Sequence, residues 1–551
     1  MGEQASMGDQ MWRAALSRRQ FLQAGAAGLV VVPGMSTILA ACGSSASPTP
    51  AGSHGTPDKT AILRFGQMRG ESYDPIHQAA VEDAQLNVLF DTLLSVSPTT
   101  GEMEPRLATK WEIQADRVRL HLRSGVLFQD GTPFNADAVK FSINRCLTEA
   151  ASNIKTQLYM LDRVEVVDAQ TVDLVLKTQA PNPLLMQLTT RPGMIVSPTA
   201  VAAAGSSDAF SRKPVGAGMY AIFGDWHPRE RMSVRAWDGY WDKQAALLGG
   251  IDFMEVAMNA RVNDLRAGAI DADGFSGSEF SALKAQAHLH EISAIVAQVR
   301  GLNVNTTIAP FTDIKVRQAV AYAIDRNAIV QALTGGHGKP AYQIFTPDSP
   351  AYDSSLEGLY KYDPKKSKQL LSEAGYPDGL TFKSIIGATA ADYVKFGELL
   401  QGQLRNAGIT MDLQLVNQAQ TIPMLYRQGG HGVAASAPIG SGANARLTDQ
   451  VIRQSFLKEG FTNAGGVETP GVRDLINQGA AATDAATSAK LYKQANNIIA
   501  KSLYGVIPVY YEVGVAGYWD YVGGFTRGFT DADNNPDLFR GVYINKGKAA
   551  I

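Results

Sequence analysis

The sequence predicts an α/β fold class, with a mixed α+β first half and an α/β second half. The chain has 551 residues, too many for one hydrophobic core, so two or three domains are expected. Apolar residues make up 45% of the chain and charged residues 19%, which is the composition of a folded protein. The pattern also changes along the chain: strand-like alternation recurs before residue 240, and helices and strands alternate from residue 313.

The first half is predicted to contain one early helix and several strands. The stretch "VEDAQLNVLFDTLLSV" (81–96) has apolar residues at helical spacing, which predicts an amphipathic helix. In "LRSGVLFQDGTPFNADAV" we expect a strand, a turn at Asp130-Gly131 and a helix capped by Asn135. Alternating apolar residues predict strands at 61–67, 118–123, 164–178 (two strands around a turn at 168–170) and 219–237 (two strands around a polar turn at 227–230).

The second half is predicted to alternate helices with strands. The stretch "DIKVRQAVAYAIDRNAIVQALTGG" (313–336) predicts one helix, capped by Asp313 and ended by Gly335 and Gly336. Such alternation implies a parallel sheet covered by helices on both faces. The further predicted elements are helices at 363–375, up to Asn406 and at 418–427, and strands at 409–416, 432–436 and 505–513.

The first sixty residues predict an export signal followed by a tether. Arginines precede a mildly apolar, helix-poor segment, the layout of a signal peptide rather than of a membrane span. "SRRQFL" resembles the twin-arginine export motif, with Arg18 and Arg19 as the recognised pair. "LAAC" resembles the bacterial lipobox, which implies that residues 1–41 are removed and that Cys42 carries a lipid anchor. The Ser-, Gly- and Pro-rich residues 42–57 predict a disordered tether.

Charge and cysteine content exclude several classes of protein. The formal charge of −2, with no basic stripe, argues against nucleic acid as a partner. The two cysteines, Cys42 and Cys146, rule out a disulfide framework. Cys146 lies at an apolar position of a predicted helix, which favours a buried core residue. From Lys59 onward no run of eighteen apolar residues occurs.

The sequence carries no catalytic signature, so no catalytic residue, metal or cofactor is expected. Neither Gly-x-Ser-x-Gly nor the phosphate-binding Gly-x-x-x-x-Gly-Lys-Ser/Thr occurs. "GAGMYA" (216–221) imitates a dinucleotide-binding loop but precedes a predicted strand rather than a helix. "HLHE" could place His288 and His290 on one face of a strand as metal ligands, but without a third ligand nearby, surface histidines are favoured.

Several linked segments carry a family resemblance that extends over residues 60–545. They are "EPRLATKWEIQADRVRLHLRSGVLFQDGTPFNADAVKFSINR" (104–145), "PVGAGMYAI", "DGYW", "PFTDIKVRQAVAYAIDRNAIV", "DPKKSKQLLSEAGYPDG" and "VIPVYYEVGVAGYWDYVGGF". In order and spacing these segments resemble the solute-binding proteins of ABC importers in the dipeptide, oligopeptide and nickel group.

The resemblance implies a two-lobed periplasmic-binding-protein-like fold with a hinge and an extra domain inserted in the first lobe. A ligand would be enclosed between the lobes by hinge closure and delivered to an ABC permease. The protein would act as a lipid-anchored monomer on the outer face of the cytoplasmic membrane, without catalysis. The implied segments are lobe I at 58–88, 209–300 and 512–551, the extra domain at 89–208 and lobe II at 301–511.

The resemblance also points to ligand-binding residues. The loop after the first strand faces the cleft in the family, and here that part of the chain contains Gln67, Arg69 and Tyr73. Ser436 lies in the stretch where peptide-binding relatives commonly supply an aspartate for the ligand's ammonium group. Tyr511 lies on the strand that the family places at the cleft floor, where a tyrosine offers stacking surface and a hydroxyl.

The expected ligand has an anionic or neutral polar end. No acid occurs in residues 432–448, so an ammonium group would lack its usual partner there. Arg69 is suited to bidentate capture of a carboxylate, with a solvated surface role as an equal alternative. Peptides, modified peptides, nickel chelates, sugars and opines stay open as ligand classes. The alternative function is a secreted, twin-arginine-exported hydrolase or metalloenzyme, against which the missing nucleophile motifs and metal clusters argue.

Overall fold

A computed structural model describes most of the chain, and its architecture mixes α-helices with β-sheets. Strands of the described residues form one large sheet, one four-stranded sheet and two small two-stranded sheets. The described residues are 56–66, 72–77, 83–97, 100–225, 231–257, 260–276, 279, 283, 287–387, 391–417, 420, 424, 435–436, 447–460, 462–463, 465–525 and 537–546.

The described strands and helices are numbered here separately in chain order. The strands are β1 (Ile62–Phe65), β2 (Leu94–Val96), β3 (Met103–Pro105), β4 (Ala108–Ile113), β5 (Arg117–Leu122), β6 (Leu161–Asp168), β7 (Thr171–Leu176), β8 (Tyr220–Ile222), β9 (Met232–Ala236), β10 (Gly250–Phe253), β11 (Ala272–Ser276), β12 (Leu289–Val304), β13 (Lys339–Pro340), β14 (Leu380–Gly387), β15 (Ile409–Val416), β16 (Ala435–Ser436), β17 (Val506–Trp519), β18 (Val522–Gly523) and β19 (Tyr543–Ile544). The α-helices are α1 (Asp83–Leu89), α2 (Ala136–Thr148), α3 (Pro181–Gln187), α4 (Pro198–Ala204), α5 (Ser207–Arg212), α6 (Arg261–Arg266), α7 (Ile314–Tyr322), α8 (Arg326–Thr334), α9 (Pro364–Glu373), α10 (Ala391–Asn406), α11 (Thr448–Phe456), α12 (Val472–Ala481) and α13 (Ala485–Ser502).

The large sheet consists of two partly parallel halves joined by one antiparallel pair. Its strand order is β15-β14-β16-β12-β17-β11-β1-β10-β9-β8, with β13 also paired to β17. In one half β14 is parallel to β15 and β16, and in the other half β1 is parallel to β10 and β11. Between the halves, β12 and β17 run antiparallel to each other, and each is antiparallel to its outer neighbour, β16 or β11.

The four-stranded antiparallel sheet has the order β4-β5-β7-β6 and packs against α2. Asn135 caps α2 as predicted, because its side chain accepts a hydrogen bond of 3.0 Å from the Ala138 amide. Cys146 lies on the buried face of this helix, in the same hydrophobic cluster as the sheet. Burial raises the pKa of the Cys146 thiol to about 12, so this cysteine is an inert core residue, as the sequence predicts.

Buried apolar side chains of the described residues form several separate clusters. The first draws on residues 63–90, 194–283 and 513–544 and packs around β1, β10 and β11. A second, over 302–510, and a smaller one, over 299–511, pack around β12, β14, β17 and the later helices. The cluster of the four-stranded sheet draws mainly on 76–217. Chain segments far apart in sequence thus share a core.

The predicted helix over 81–96 is wrong in its second half. Only Asp83–Leu89 is helical, whereas Leu94–Val96 forms β2 and pairs with Met103–Pro105. The Leu93 amide donates to the Gly193 carbonyl oxygen at 2.9 Å, so it bonds to a distant segment instead of making a helical hydrogen bond. Long-range backbone pairing outweighs the local helical periodicity here.

The single helix predicted over 313–336 is two helices, α7 and α8. Asp313 caps the first helix as predicted and Gly335 ends the second, but the helix is interrupted before Asp325. The Asp325 amide donates to the side-chain oxygen of Gln403 at 2.8 Å, and Arg326 Nη1 donates to the Ala321 carbonyl oxygen at 3.1 Å. In a continuous helix the Asp325 amide would donate to the Ala321 carbonyl oxygen. Because side chains of Gln403 and Arg326 bond to these two groups instead, the first helix ends and a second one begins.

The second half of the chain is not a purely parallel sheet, because its parallel strands continue into the antiparallel pair β12–β17. The predicted strands at 61–67, 118–123, 164–178 and 409–416 are confirmed as β1, β5, β6–β7 and β15. The turn at 227–230 lies outside the described residues, as does most of 418–427. Among the described helices, none is long and apolar enough to cross a membrane.

Candidate functional site

The pair β12–β17 changes its packing partners midway along its length. Two register shifts interrupt the pairing, between Ile295 and Val299 and directly after Arg300. Apolar side chains of residues 289–295 and 513–519 pack on the first hydrophobic cluster, around β1, β10 and β11. Those of residues 302–304 and 506–510 pack on the two clusters around β14 and the later helices. We call residues 295–301 of β12 and 510–514 of β17 the crossover.

The carboxyl ends of strands from both halves of the sheet lead to the crossover. On one side β11 ends with Ser276 opposite Gly514, and β1 runs parallel to β11. On the other side Ser436 lies opposite Asn303, so β16 runs back along β12 toward the crossover. The neighbouring β14 is parallel to β16 and ends at Gly387. Ligands of open α/β sheets bind outside the carboxyl ends of the strands, which makes the crossover the candidate binding site.

A charged pair occupies the crossover. Arg300 of β12 is only 8% exposed, and its Nη2 donates to Gln298 Oε1 at 3.1 Å and forms an ion pair with Glu512 of β17. The guanidinium carbon lies 5.0 Å from the ring centroid of Tyr393, in the first turn of α10. Burial lowers the pKa of the Arg300 guanidinium, but the adjacent Glu512 carboxylate outweighs burial and holds that pKa above its ordinary value.

Arg300 and Glu512 were not among the ligand residues that the sequence predicted. A signal for Arg300 is present in "IVAQVRGLNV" (295–304), where a charged residue interrupts an apolar strand. A charge on a buried strand needs a partner or a ligand, and this requirement alone could have marked the position. Its pairing with Glu512 depends on the register of β12 against β17, which the sequence pattern does not specify.

Some of the sequence-predicted functional residues fall outside the described residues. These are the ligand candidates Gln67 and Arg69, the lipidation candidate Cys42, and the export candidates Arg18 and Arg19. In the sequence, Gln67 and Arg69 follow closely after β1, which runs parallel to β11. Their roles stay predictions.

The other predicted ligand residues lie on described elements. Tyr73 is fully buried in the first hydrophobic cluster. Ser436 is the last residue of β16, and Tyr511 belongs to the crossover itself. The Tyr511 hydroxyl donates to the Phe345 carbonyl oxygen at 3.0 Å, and burial raises the pKa of this tyrosine. The structure thus brings Ser436 and Tyr511 to strands that meet Arg300, and their contact with a ligand stays a prediction.

The two histidines of "HLHE" have separate neighbours. His288 precedes β12, and its Nδ1 lies 3.0 Å from Asp520 Oδ2. The ring of His290 stacks on Tyr518 with 5.8 Å between the ring centroids. Within the described part of the chain, no group of three or more histidine, cysteine, aspartate or glutamate side chains is arranged to hold a metal ion.

We predict that Gly301→Ala disrupts the crossover. A Cβ at Gly301 would lie 2.4 Å from the Ile507 carbonyl oxygen, a backbone atom of the paired strand. The strands must separate to admit it, so we expect the free energy of unfolding to fall by about 1–3 kcal/mol, as for overpacked cores. Urea unfolding followed by tryptophan fluorescence measures the change.

The matched control is Gly402→Ala on α10, where a Cβ meets no atom within 4 Å. Alanine favours helices over glycine by up to about 1 kcal/mol, so this variant should be as stable as the parent protein or more stable. Equal stability of Gly301→Ala and the parent protein would show that the close approach of β12 to β17 is not a constraint.

Several known proteins resemble this chain in sequence or in fold. Heme-binding protein A of Haemophilus influenzae is 28% identical over 505 residues, covering 84% of this chain and 88% of that protein. Glutathione-binding protein GsiB of Shigella flexneri is 29% identical over 408 residues, covering 71% and 78%. The structure of the periplasmic binding protein DppA from Helicobacter pylori with peptide STSA superposes with a TM-score of 0.73, at 23% identity, covering 88% of this chain and 98% of that one.

The family follows from a match that spans more than half of the chain. Residues 102–448 match the sequence model of the bacterial extracellular solute-binding proteins, family 5, middle region. The matched span contains β12 and the parallel strands β14 to β16, which lead to the crossover. The fold is that of the two-lobed periplasmic binding proteins, and this chain belongs to family 5 of the bacterial extracellular solute-binding proteins.

Proposed function

We propose that this chain is the extracytoplasmic substrate-binding protein of an ABC importer, which captures a small solute by hinge closure and delivers it to the permease. The crossover carries the proposal, because strand ends from two halves of the sheet lead to one polar position on the pair that joins them. Two bodies linked by such strands can close on a solute held between them. The protein acts as a monomer and without catalysis, in keeping with a family of binding proteins.

The proposed solute is a peptide-like or other small polar molecule with an anionic or neutral polar end. The relatives are named for heme and glutathione, and the similar structure holds a peptide; two of these three ligands contain amide bonds. The lack of acids in residues 432–448 supports a solute that is not fixed by an ammonium group. The proposed ligand contacts are Gln67, Arg69, Tyr73, Ser436 and Tyr511.

We expect solute binding without turnover. Peptides that bind should raise the melting temperature, because a ligand that binds only the folded state stabilises it, and more so as its concentration rises above Kd. The same peptides, incubated with the protein and analysed by mass spectrometry, should stay intact. Peptide cleavage at catalytic rates would favour the alternative, a secreted hydrolase or metalloenzyme, and would overturn the proposal.

The proposed division of the chain is lobe I, extra domain and lobe II with the boundaries given by the resemblance: 58–88, 209–300 and 512–551; 89–208; and 301–511. The separate hydrophobic clusters support this division, because each draws mainly on one of the three sets of segments.

Hydrogen bonds between the extra domain and lobe II support closure as the working motion. The Tyr159 hydroxyl donates to Asp449 Oδ2 at 2.8 Å, and Gln187 Nε2 donates to Gln450 Oε1 at 2.7 Å. Arg453 also donates to Asp449, at 2.8 Å, and lies over the Tyr159 ring. These contacts lie apart from β12–β17, so they would add to the stability of a closed state.

We therefore predict that Tyr159→Phe weakens solute binding, although residue 159 does not contact the solute. Losing a hydrogen bond to a charged acceptor should lower the closed population and raise Kd by about tenfold. Calorimetry with a bound peptide measures Kd, and small-angle scattering measures compaction. The matched control is Tyr362→Phe, an exposed tyrosine. If Tyr159→Phe and the control bind equally well, the contact does not contribute to closure.

Membrane anchoring is the remaining part of the proposal. The "LAAC" boundary and the Ser-, Gly- and Pro-rich stretch after it support Cys42 as the lipidated N-terminus of the mature protein. The pair Arg18 and Arg19 supports export through the twin-arginine route, followed by removal of residues 1–41 as a signal peptide. The tether over 42–57 would leave the binding domains free on the outer face of the membrane.

We predict that Cys42→Ala releases the protein from membranes or leaves the precursor uncut. Without the thiol, no diacylglyceryl group can be attached, and the remaining protein has little net charge to hold it on lipid. Fractionation with mass spectrometry of the N-terminus measures both outcomes. Cys146→Ala, in the core, is the matched control and should stay anchored. Normal processing and membrane binding of Cys42→Ala would contradict the anchor.

A further inference from the structure

Arg300 has more hydrogen-bonding capacity than its neighbours use. Its Nη2 donates to Gln298 Oε1 and forms the ion pair with Glu512. Its Nε–H is buried and has no hydrogen-bond partner in the described part of the chain. Buried donors of charged groups are almost always satisfied in folded proteins, because leaving one without an acceptor is costly. No described residue supplies an acceptor for this donor at the crossover.

The guanidinium is held in a fixed orientation. The ring of Tyr393 covers one of its faces, and the register shift beside Arg300 sets its place on the strand. Glu512 fixes Nη2, so the Nε–H edge cannot turn away without breaking that ion pair. The Glu512 side chain is 32% exposed, whereas that of Arg300 is 10% exposed, so the pair opens toward solvent on the glutamate side.

We propose that Arg300 Nε–H recognises an amide group of the bound solute by donating to the amide oxygen, with Glu512 orienting the guanidinium and balancing its charge. This inference rests on the proposed function and adds the chemical group that is read at the cleft floor. An amide oxygen is a neutral hydrogen-bond acceptor, which suits a buried N–H donor whose charge is already paired.

The charge of the site favours a neutral group over a carboxylate. Glu512 already neutralises Arg300, so a second carboxylate at the Nε–H would meet a like charge nearby. A neutral amide is not repelled by Glu512 and leaves the ion pair intact. Peptide-like solutes carry this group at every residue, whereas nickel chelates and simple sugars do not.

The test combines changes in the protein with changes in the solute. The probes are the tetrapeptide Ser-Thr-Ser-Ala, glutathione and a mixed tetrapeptide library, screened by melting shift against the parent protein. For a tetrapeptide that binds, each amide is replaced in turn by an alkene isostere, and one version carries a C-terminal amide. Kd is measured by calorimetry for the parent protein and for Arg300→Met and Glu512→Gln.

We expect one amide position to matter far more than the others. Replacing it should raise Kd by about tenfold to hundredfold in the parent protein, and this loss should largely vanish in Arg300→Met. Arg317→Met is the control, because Arg317 is also buried but donates to the carbonyl oxygens of Phe311 and Thr312. It should lower stability and leave every amide effect unchanged.

Arg300→Lys covers the case in which Arg300→Met does not fold. It keeps the positive charge beside Glu512 but removes the Nε–H, so it should lose the same amide effect. The inference is wrong, while the proposed function stands, if Arg300→Met or Arg300→Lys removes the effect on Kd of the C-terminal carboxylate instead of that of an amide. The same holds if neither variant removes the effect of any amide. If the parent protein binds none of the probes, the peptide-like solute itself is wrong.

Discussion

The antiparallel pairing of β12 with β17 is the constraint on which the rest of the structure depends. Each strand of the large sheet connects to this pair, directly or through the strands between them, and the hydrophobic clusters on its two ends share no other described sheet. The pair is long enough to serve both halves and irregular at its centre, where Gly301 allows the strands to approach closely. Irregular pairing of this kind is frequent next to functional sites, so the irregular centre fits a binding site at the crossover.

A buried arginine holds one end of this pair in place. Arg326 is 2% exposed and donates to the carbonyl oxygens of Pro508 on β17, Ala341 beside β13 and Tyr360 before α9. Burial lowers the pKa of the Arg326 guanidinium to about 10, because its hydrogen-bond partners among the described residues are neutral carbonyl groups. Arg326 thus donates to carbonyl groups of three segments at once, whereas the guanidinium of Arg300, also near β17, pairs with the Glu512 carboxylate at the crossover.

The fold class and most of the long elements could be predicted from the sequence, because they follow from local periodicity and capping. Asn135 and Asp313 cap their helices as the sequence indicates. The break before Asp325 could not be predicted, since it depends on side chains that reach it from other parts of the fold. The site was less predictable still: local pattern marks Arg300 as unusual, but only strand register pairs it with Glu512. Tertiary contacts decide what local pattern leaves open.

The central claim is that a solute binds where strand ends from both halves of the sheet meet the crossover. The most direct measurement is a crystal structure of the protein purified from its native host with a retained solute. We expect solute density beside Arg300 and Glu512, between the carboxyl ends of β11 and β16. Solute density elsewhere, such as in the open groove of about 610 Å³ along α13 lined by Lys490 and Lys493, would contradict it.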